Sequence, residues 1–354
     1  MGVTLALSDR WRVAALRVAR HGLDSGEYEM ARRWARRALA VRTRDTGIRV
    51  DALTLAAAAA QALGDYAEAE TLAGQALALV TDRAGAPDAQ LAVLVRLAEV
   101  YRLGGRFDAA ERLLDRAATV AGNAADPLAT ARVENGLGIV CKDLGRFTDA
   151  DAHYRRALAM TGPESDPGDL FAATLWHNLA GLGYAQGRYA DAEPAARRAV
   201  ALRESQRGAN HPEVARDLTV LAAILAGQRR PTEAERLYRR AWDIFRHRLG
   251  PEHYEVSVIL NSLGGLAQDR GDLVEAEGLQ RKALAIRTRV LGPAHPEVGT
   301  VLNNLAVSLH RQGRLDEAAE RYRRALSILE TSLPATHPTT VACHANHQRL
   351  LDAS

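Results

Sequence analysis

The sequence predicts an all-α fold: an α-solenoid of about eight helix-turn-helix units with a C-terminal capping helix. Three observations predict it. Leu249-Gly250-Pro251-Glu252-His253 returns 42 residues on as Leu291-Gly292-Pro293-Ala294-His295, and Asn261-Ser262-Leu263 returns as Asn303-Asn304-Leu305. Within a copy the apolar spacing is helical, with Leu302, Leu305, Ala306 and Leu309 on one stripe and Leu315, Ala318, Tyr322, Ala325, Leu326 and Leu329 on a second. A turn position recurs at Gly26, Gly64, Gly105, Gly145, Gly187, Arg229, Gly271 and Gly313. One helical hairpin cannot bury both of its faces, so each unit needs its neighbours.

The units follow in order at 11–42, 49–82, 88–121, 128–161, 170–207, 212–249, 254–291 and 296–333, with a cap over 338–351, in one array over 1–354. Each first helix is expected to start at a signal such as His295-Pro296-Glu297 and to end at the turn glycine, which supplies a left-handed residue. The sixth unit departs from this, because Arg229-Arg230-Pro231 replaces Gly-x-aromatic. The left-handed turn is expected there to move to Gly227 or to disappear. Loops at 121–127 and 162–168, rich in Gly, Pro, Asp and Asn, separate units rather than domains. The cap is a first helix without a second, and its outer face carries His344, His347, Gln348 and Arg349.

The pattern Leu302-x2-Leu305-Ala306-x2-Leu309, then Gly313-x-Leu315-x2-Ala318-x3-Tyr322-x2-Ala325-Leu326, resembles the tetratricopeptide repeat (TPR). The 42-residue period and the Leu-Gly-Pro-x-His-Pro element are similar to the kinesin-light-chain variety. The resemblance implies a right-handed superhelix whose first helices line a concave groove. It also implies a non-catalytic protein–protein interaction module, a scaffold that holds an extended peptide or protein segment. Two alternatives stay open: a peptide-responsive sensor arm of a signalling system, and an enzyme with its active site in the groove.

Composition narrows the function classes. Hydrophobic residues make up 47% and aromatic residues only 5%, so Ala and Leu supply most of the apolar surface, as in helical arrays. Lys+Arg 46 against Asp+Glu 43 leaves a net charge of +3, too balanced for a nucleic-acid protein. No run approaches the ~20 apolar residues of a membrane span, and Met1 to Arg20 lacks the apolar core of a signal peptide. Cys141 and Cys343 are far apart in a linear array and are expected to stay free, which fits a cytoplasmic protein.

Catalytic and metal signatures are missing: there is no H-E-x-x-H, G-x-S-x-G or G-x-x-x-x-G-K-[ST]. No cofactor is expected. His211, His253, His295 and His337 recur at the loop-to-helix junction, one unit apart. Neighbouring helices stand ~8–10 Å apart, too far for four such side chains to share an ion with bonds of ~2.0–2.1 Å. The paired basics Arg36-Arg37, Arg155-Arg156, Arg197-Arg198, Arg239-Arg240, Arg281-Lys282 and Arg323-Arg324 sit one turn from Glu or Asp on second helices, as on a solvated face laced with i,i+4 pairs.

Candidate site residues fall on the first helices. Positions nine and ten before the turn residue are Asn135, His177 and Asn178, Asn261 and Ser262, and Asn303 and Asn304, with Asn346 in the cap. An Asn amide offers both donors and an acceptor, suited to gripping the backbone of an extended peptide, and the resemblance implies that role. Arg17, Arg20, Arg96, Arg102, Arg132, Lys142 and Arg216 make the same face basic, which favours an acidic segment of a partner protein. Gly181, Ala223, Ala226 and Gly265 leave room for an apolar side chain of that partner.

Overall fold

The computed structural model describes residues 2–41, 43, 45–81, 87–124, 126–161 and 170–352. The expected loop at 162–168 and the end of the second unit at residue 82 lie outside them. The described residues form seventeen α-helices. They are α1 Gly2–Ser25, α2 Tyr28–Ala40, α3 Thr46–Ala62, α4 Tyr66–Thr81, α5 Pro87–Leu103, α6 Phe107–Ala124, α7 Pro127–Asp143, α8 Phe147–Met160 and α9 Leu170–Ala185. The series continues with α10 Tyr189–Arg207, α11 Pro212–Gly227, α12 Pro231–Leu249, α13 Tyr254–Arg270, α14 Leu273–Leu291, α15 Pro296–Arg311, α16 Leu315–Ser332 and α17 Pro338–Leu351. These are the eight expected pairs and the cap. The first helix is longer than the sequence pattern suggested, beginning at Gly2 rather than near Trp11.

The turns follow directly from backbone chemistry. All seven turn glycines have positive φ, from 71° at Gly187 to 87° at Gly271, a region that glycine enters without a Cβ clash. Arg229 has φ 62°, so the left-handed residue of the sixth unit neither moves nor disappears. Arg229 N–H donates to Ala226 O and Arg230 N–H to Leu225 O, as Gly313 N–H does to His310 O and Arg314 N–H to Leu309 O. Gly227 cannot take over the turn. It is the last residue of α11, and a Cβ there would lie 2.6 Å from the Tyr189 ring. Keeping both capping bonds outweighs the ~1 kcal/mol that a side chain in this region costs.

The recurring histidines have a structural role. His211, His253, His295 and His337 are the N-cap residues of α11, α13, α15 and α17. In each, the ring Nδ1 accepts the N–H two residues on, at 3.2 Å. This satisfies one of the donors that a helix start leaves open. The 42-residue element is a loop that ends a second helix at a left-handed glycine (Gly208, Gly250 or Gly292) and starts the next first helix on a capping imidazole.

The chain divides into two compact units, residues 1–140 with 150–166, and residues 141–149 with 167–354. In the first, α1, α3 and α5 touch in succession, and α2 packs between α1 and α3. In the second, α9, α11, α13, α15 and α17 touch in succession, while α10, α12 and α14 each pack on the first helices before and after them. First helices that touch one another form the inner wall of each unit, and the second helices form the outer one. The core of the second unit runs from Ala180 through Leu218, Phe245 and Ile259 to Val301, and on to Tyr322, Leu329 and Cys343. Cys141 and Cys343 are both buried and are not joined in a disulfide.

Candidate binding groove

The second-helix surface is laced with ion pairs as the spacing predicts. Arg197 bonds Glu193, Arg239 bonds Glu235 and Arg281 bonds Glu277, each four residues apart. The same glutamates also do something the sequence pattern did not disclose. Glu277 accepts from Gln312 Nε2 at 3.0 Å and from Arg314 at 2.8 Å, across to the turn of the next unit. Glu193 accepts from Gln228 at 2.9 Å and Arg230 at 3.0 Å in the same way. Burial raises the Glu277 pKa, but the bonds from Gln312, Arg281 and Arg314 outweigh it and hold it down to about 2. The clamp is a tie between neighbouring units. On α2, Glu29, Arg32, Arg33, Arg36 and Arg37 line a shallow depression, with Arg37 stacked over Trp34.

On the inner wall of the second unit the predicted asparagines are joined to one another. Asn304 Nδ2 donates to Asn261 Oδ1 at 3.2 Å, Asn303 Nδ2 to Asn304 Oδ1 at 3.4 Å and Asn346 Nδ2 to Asn303 Oδ1 at 3.0 Å. Arg349 reaches Asn346 Oδ1. The result is a ladder across α13, α15 and α17, with Asn303 buried and Asn261, Asn304 and Asn346 half-buried. An amide carries two N–H donors, and the ladder takes one of them from each of Asn303, Asn304 and Asn346. Each bond also fixes the orientation of an amide that faces the wall. Ser262 turns inward instead: its hydroxyl donates to Val258 O at 3.0 Å and meets the phenol of Tyr238. Asn178 on α9 and Asn135 on α7 are half-buried.

The small residues leave real space. A Cβ at Gly181 or at Gly265 would meet nothing within 4 Å. One turn beyond Gly181 lies Tyr184, exposed at 44%, with its ring centroid 5.7 Å from that of Tyr189.

The basic residues sort into two groups. Arg96 bonds Glu99 at 2.8 Å and Gln61 at 3.1 Å, Lys142 lies 3.6 Å from Asp143, and Arg216 is paired with Glu255. Their charge is largely met within the protein. Arg17, Arg20 and Arg132 are exposed on α1 and α7, and Arg102 is half-buried on α5. Arg17, Arg20, Arg96, Arg102, Arg132 and Asn135 belong to the first unit; Lys142, Arg216 and the other asparagines belong to the second.

His177 has a partner that sequence reading missed. Its Nδ1 lies 2.7 Å from Asp217 Oδ1, and Asp217 Oδ2 accepts from Arg203 Nε at 2.7 Å. Asp217 is fully buried. The signal was available, because the same position in sister units is Leu175, Ile259 and Val301. A carboxylate in an aliphatic register position marks a site where the repeat rule is broken.

Among the described residues no group of three or more His, Cys, Asp or Glu could hold a metal ion, and no helix is long and apolar enough to cross a membrane.

The tetratricopeptide repeat profile matches residues 89–161, 171–247 and 255–331, and a second profile of the same description matches 50–75. No curated protein matches the chain in sequence. A solved Rap protein complexed with Competence and Sporulation Factor is 10% identical, covers 98% of each chain and superposes with a TM-score of 0.62. BtubC (BKLC) from P. vanneervenii is 24% identical over 64% of this chain and 90% of its own, with a TM-score of 0.47. A kinesin-light-chain candidate from Podosopora anserina with nearly identical TPR-like repeats is 18% identical over 58% and 98%, with a TM-score of 0.43.

Proposed function

The chain belongs to the tetratricopeptide repeat family, in a 42-residue form resembling the kinesin light chain repeats, and from that premise we propose that its inner wall holds an extended segment of another protein. The family supports a protein-interaction module in general. The finer reading rests on one observation, the asparagine ladder Asn261–Asn304–Asn303–Asn346 with an open position at Gly265 on α13, one turn from Asn261, and a second at Gly181 on α9. Amides already oriented by one bond keep further donor capacity at no extra ordering cost, so they suit a peptide backbone. The open positions then seat one or two apolar side chains; in the first unit, taken by itself, the exposed Arg17, Arg20 and Arg132 favour a ligand carrying carboxylates.

A regulatory role is the second reading, favoured by the ladder itself. It bonds α13, α15 and α17 to one another, so a segment that competes for those amides changes the spacing of three units at once. The Rap protein of similar fold is complexed with a factor, which is the kind of ligand this reading calls for. Screening the 354-residue protein on an array of decapeptides tests the function. Binders enriched in Asp, Glu or a free C-terminus, weakened by Asn304→Ala, are the expected result; no enrichment and no effect of Asn304→Ala would overturn it.

A further inference from the structure

The interface between the fifth and sixth units is built differently from the one that follows it, and the repeat supplies its own control. Arg203 and Asp217 meet between α10 and α11; 42 residues on, the equivalent pair between α12 and α13 is Phe245 and Ile259, both fully buried. An apolar pair therefore closes this kind of interface without help. A buried carboxylate in its place costs several kcal/mol of lost hydration unless it is fully bonded. A buried arginine recurs at this register as Arg287, which ties to Ser257 and Glu297, so the group that sets this interface apart is the Asp217 carboxylate, and it is this carboxylate that points to a second task.

The network shows what that task is. Asp217, 0% exposed, is bonded by Arg203 on one oxygen and by His177 on the other. Arg203 also donates to Glu213 at 3.3 Å and to Thr174 Oγ1 at 3.4 Å, and Arg207 lies 3.8 Å from Glu213. The N-cap His211 lies 3.9 Å from Glu213. Two guanidinium groups thus face two carboxylates. Since a carboxylate only accepts, the proton between the two groups sits on His177 Nδ1, and in this tautomer Nε2 is the ring's acceptor. The side chain of His177 is 25% exposed. Its Nδ1 edge is held against a fully buried group, which turns the opposite, Nε2 edge away from that group. His177, Gly181 and Tyr184 follow at i, i+4 and i+7 along one face of α9, which sets that acceptor beside the open position and the exposed phenol.

We propose that His177 Nε2 accepts a backbone N–H of the extended segment, and that Asp217, held by Arg203, is the positioning residue that fixes the imidazole in this tautomer. The inference rests on the groove reading above and deepens it. The asparagines can grip N–H or C=O alike, whereas this site takes only a donor. It therefore sets the register and direction in which the segment lies.

The test uses the full chain and a decapeptide selected by it from a synthetic positional-scanning library. That decapeptide is then remade with one N-methyl group at each backbone nitrogen in turn. One N-methyl analogue is expected to bind about tenfold more weakly than its parent to the wild type, the effect of one hydrogen bond. The double variant Arg203→Phe/Asp217→Ile copies the Phe245/Ile259 interface and is expected to stay folded. In it the parent is about tenfold weaker and that analogue loses nothing further. Should the double variant not fold, His177→Leu carries the same comparison. If every N-methyl penalty is the same in wild type and variant, the assignment is overturned. If Asn304→Ala weakens the decapeptide while those penalties do not change, the dyad fails and the groove reading stands. A library with no binder overturns both.

Discussion

Replacing Glu277 with Gln removes the charge at the centre of the inter-unit clamp while keeping the shape of the side chain. In the folded protein Glu277 is held at about 2 against an ordinary value of 4.5. At ~1.4 kcal/mol per pKa unit that depression corresponds to about 3 kcal/mol as an upper bound. Glu277 is 15% exposed, but Arg314 and Arg281 are 37% and 46% exposed, and water screens them. The effective contribution is therefore about 1 kcal/mol. The sign follows from linkage. A carboxyl depressed in the folded state stabilises fully above its unfolded value of 4.5, and that contribution is lost as pH falls through the folded value near 2. Thermal unfolding of wild type and Glu277→Gln at steps from pH 7 to pH 2 gives the difference directly. The wild type is expected to melt higher at pH 7, with the gap closing between about pH 4.5 and 2. A gap that is constant over the whole range, or that widens in acid, would refute the clamp as an ionic tie.

Four further outcomes are expected. Arg229→Gly removes the side chain from the left-handed region at the cost of unfolded-state entropy, so its stability by denaturant unfolding should rise by about 0–1 kcal/mol; a loss of several kcal/mol would mean that Arg229 makes a specific bond. His295→Ala should lose about 1 kcal/mol with the N-cap bond to Glu297 N–H, read from the same curves, and no change would remove the capping role. Burial lowers the His337 pKa, opposed by the Asp143 carbonyl 3.0 Å from its Nε2, so its capping contribution is complete above the ordinary value of 6.5 and fades as pH falls below it; the melting difference between wild type and His337→Asn should shrink in acid, and a flat difference would contradict this. Ending the chain at Leu333 uncovers the apolar face of α15 and α16 on which Cys343 and Leu350 pack, so the product should aggregate in light scattering, whereas a monomer with unchanged melting would contradict the capping role of α17.

The architecture was legible because it is periodic. Seven glycines at the turn positions and the apolar stripes of both helices repeat often enough to locate eight pairs, and the structure places all eight turns where the pattern put them. Arg229 misled for a physical reason: a turn glycine is a preference of about 1 kcal/mol, and the two capping bonds around Arg229 outweigh it. The asparagines were legible as inner-wall residues, but their bonds to one another were not, since the ladder joins residues 43 apart and depends on how closely α13, α15 and α17 approach. The clamp glutamates were read as partners of the arginines four residues on, which they are. Their second partners lie on the next turn and leave no trace in local spacing. Asp217 escaped because periodicity asks which positions are apolar, not which single copy breaks the register.

The central claim is that the inner wall of the second unit grips an extended segment through its asparagines. It is tested most directly by titrating array-selected decapeptides into wild type and Asn304→Ala, with melting curves to confirm that the variant keeps its fold. The account predicts a loss of roughly 1–3 kcal/mol for every selected peptide, whatever its side chains, because the amide bonds backbone groups. Peptides that bind a folded Asn304→Ala as tightly as the wild type would contradict it.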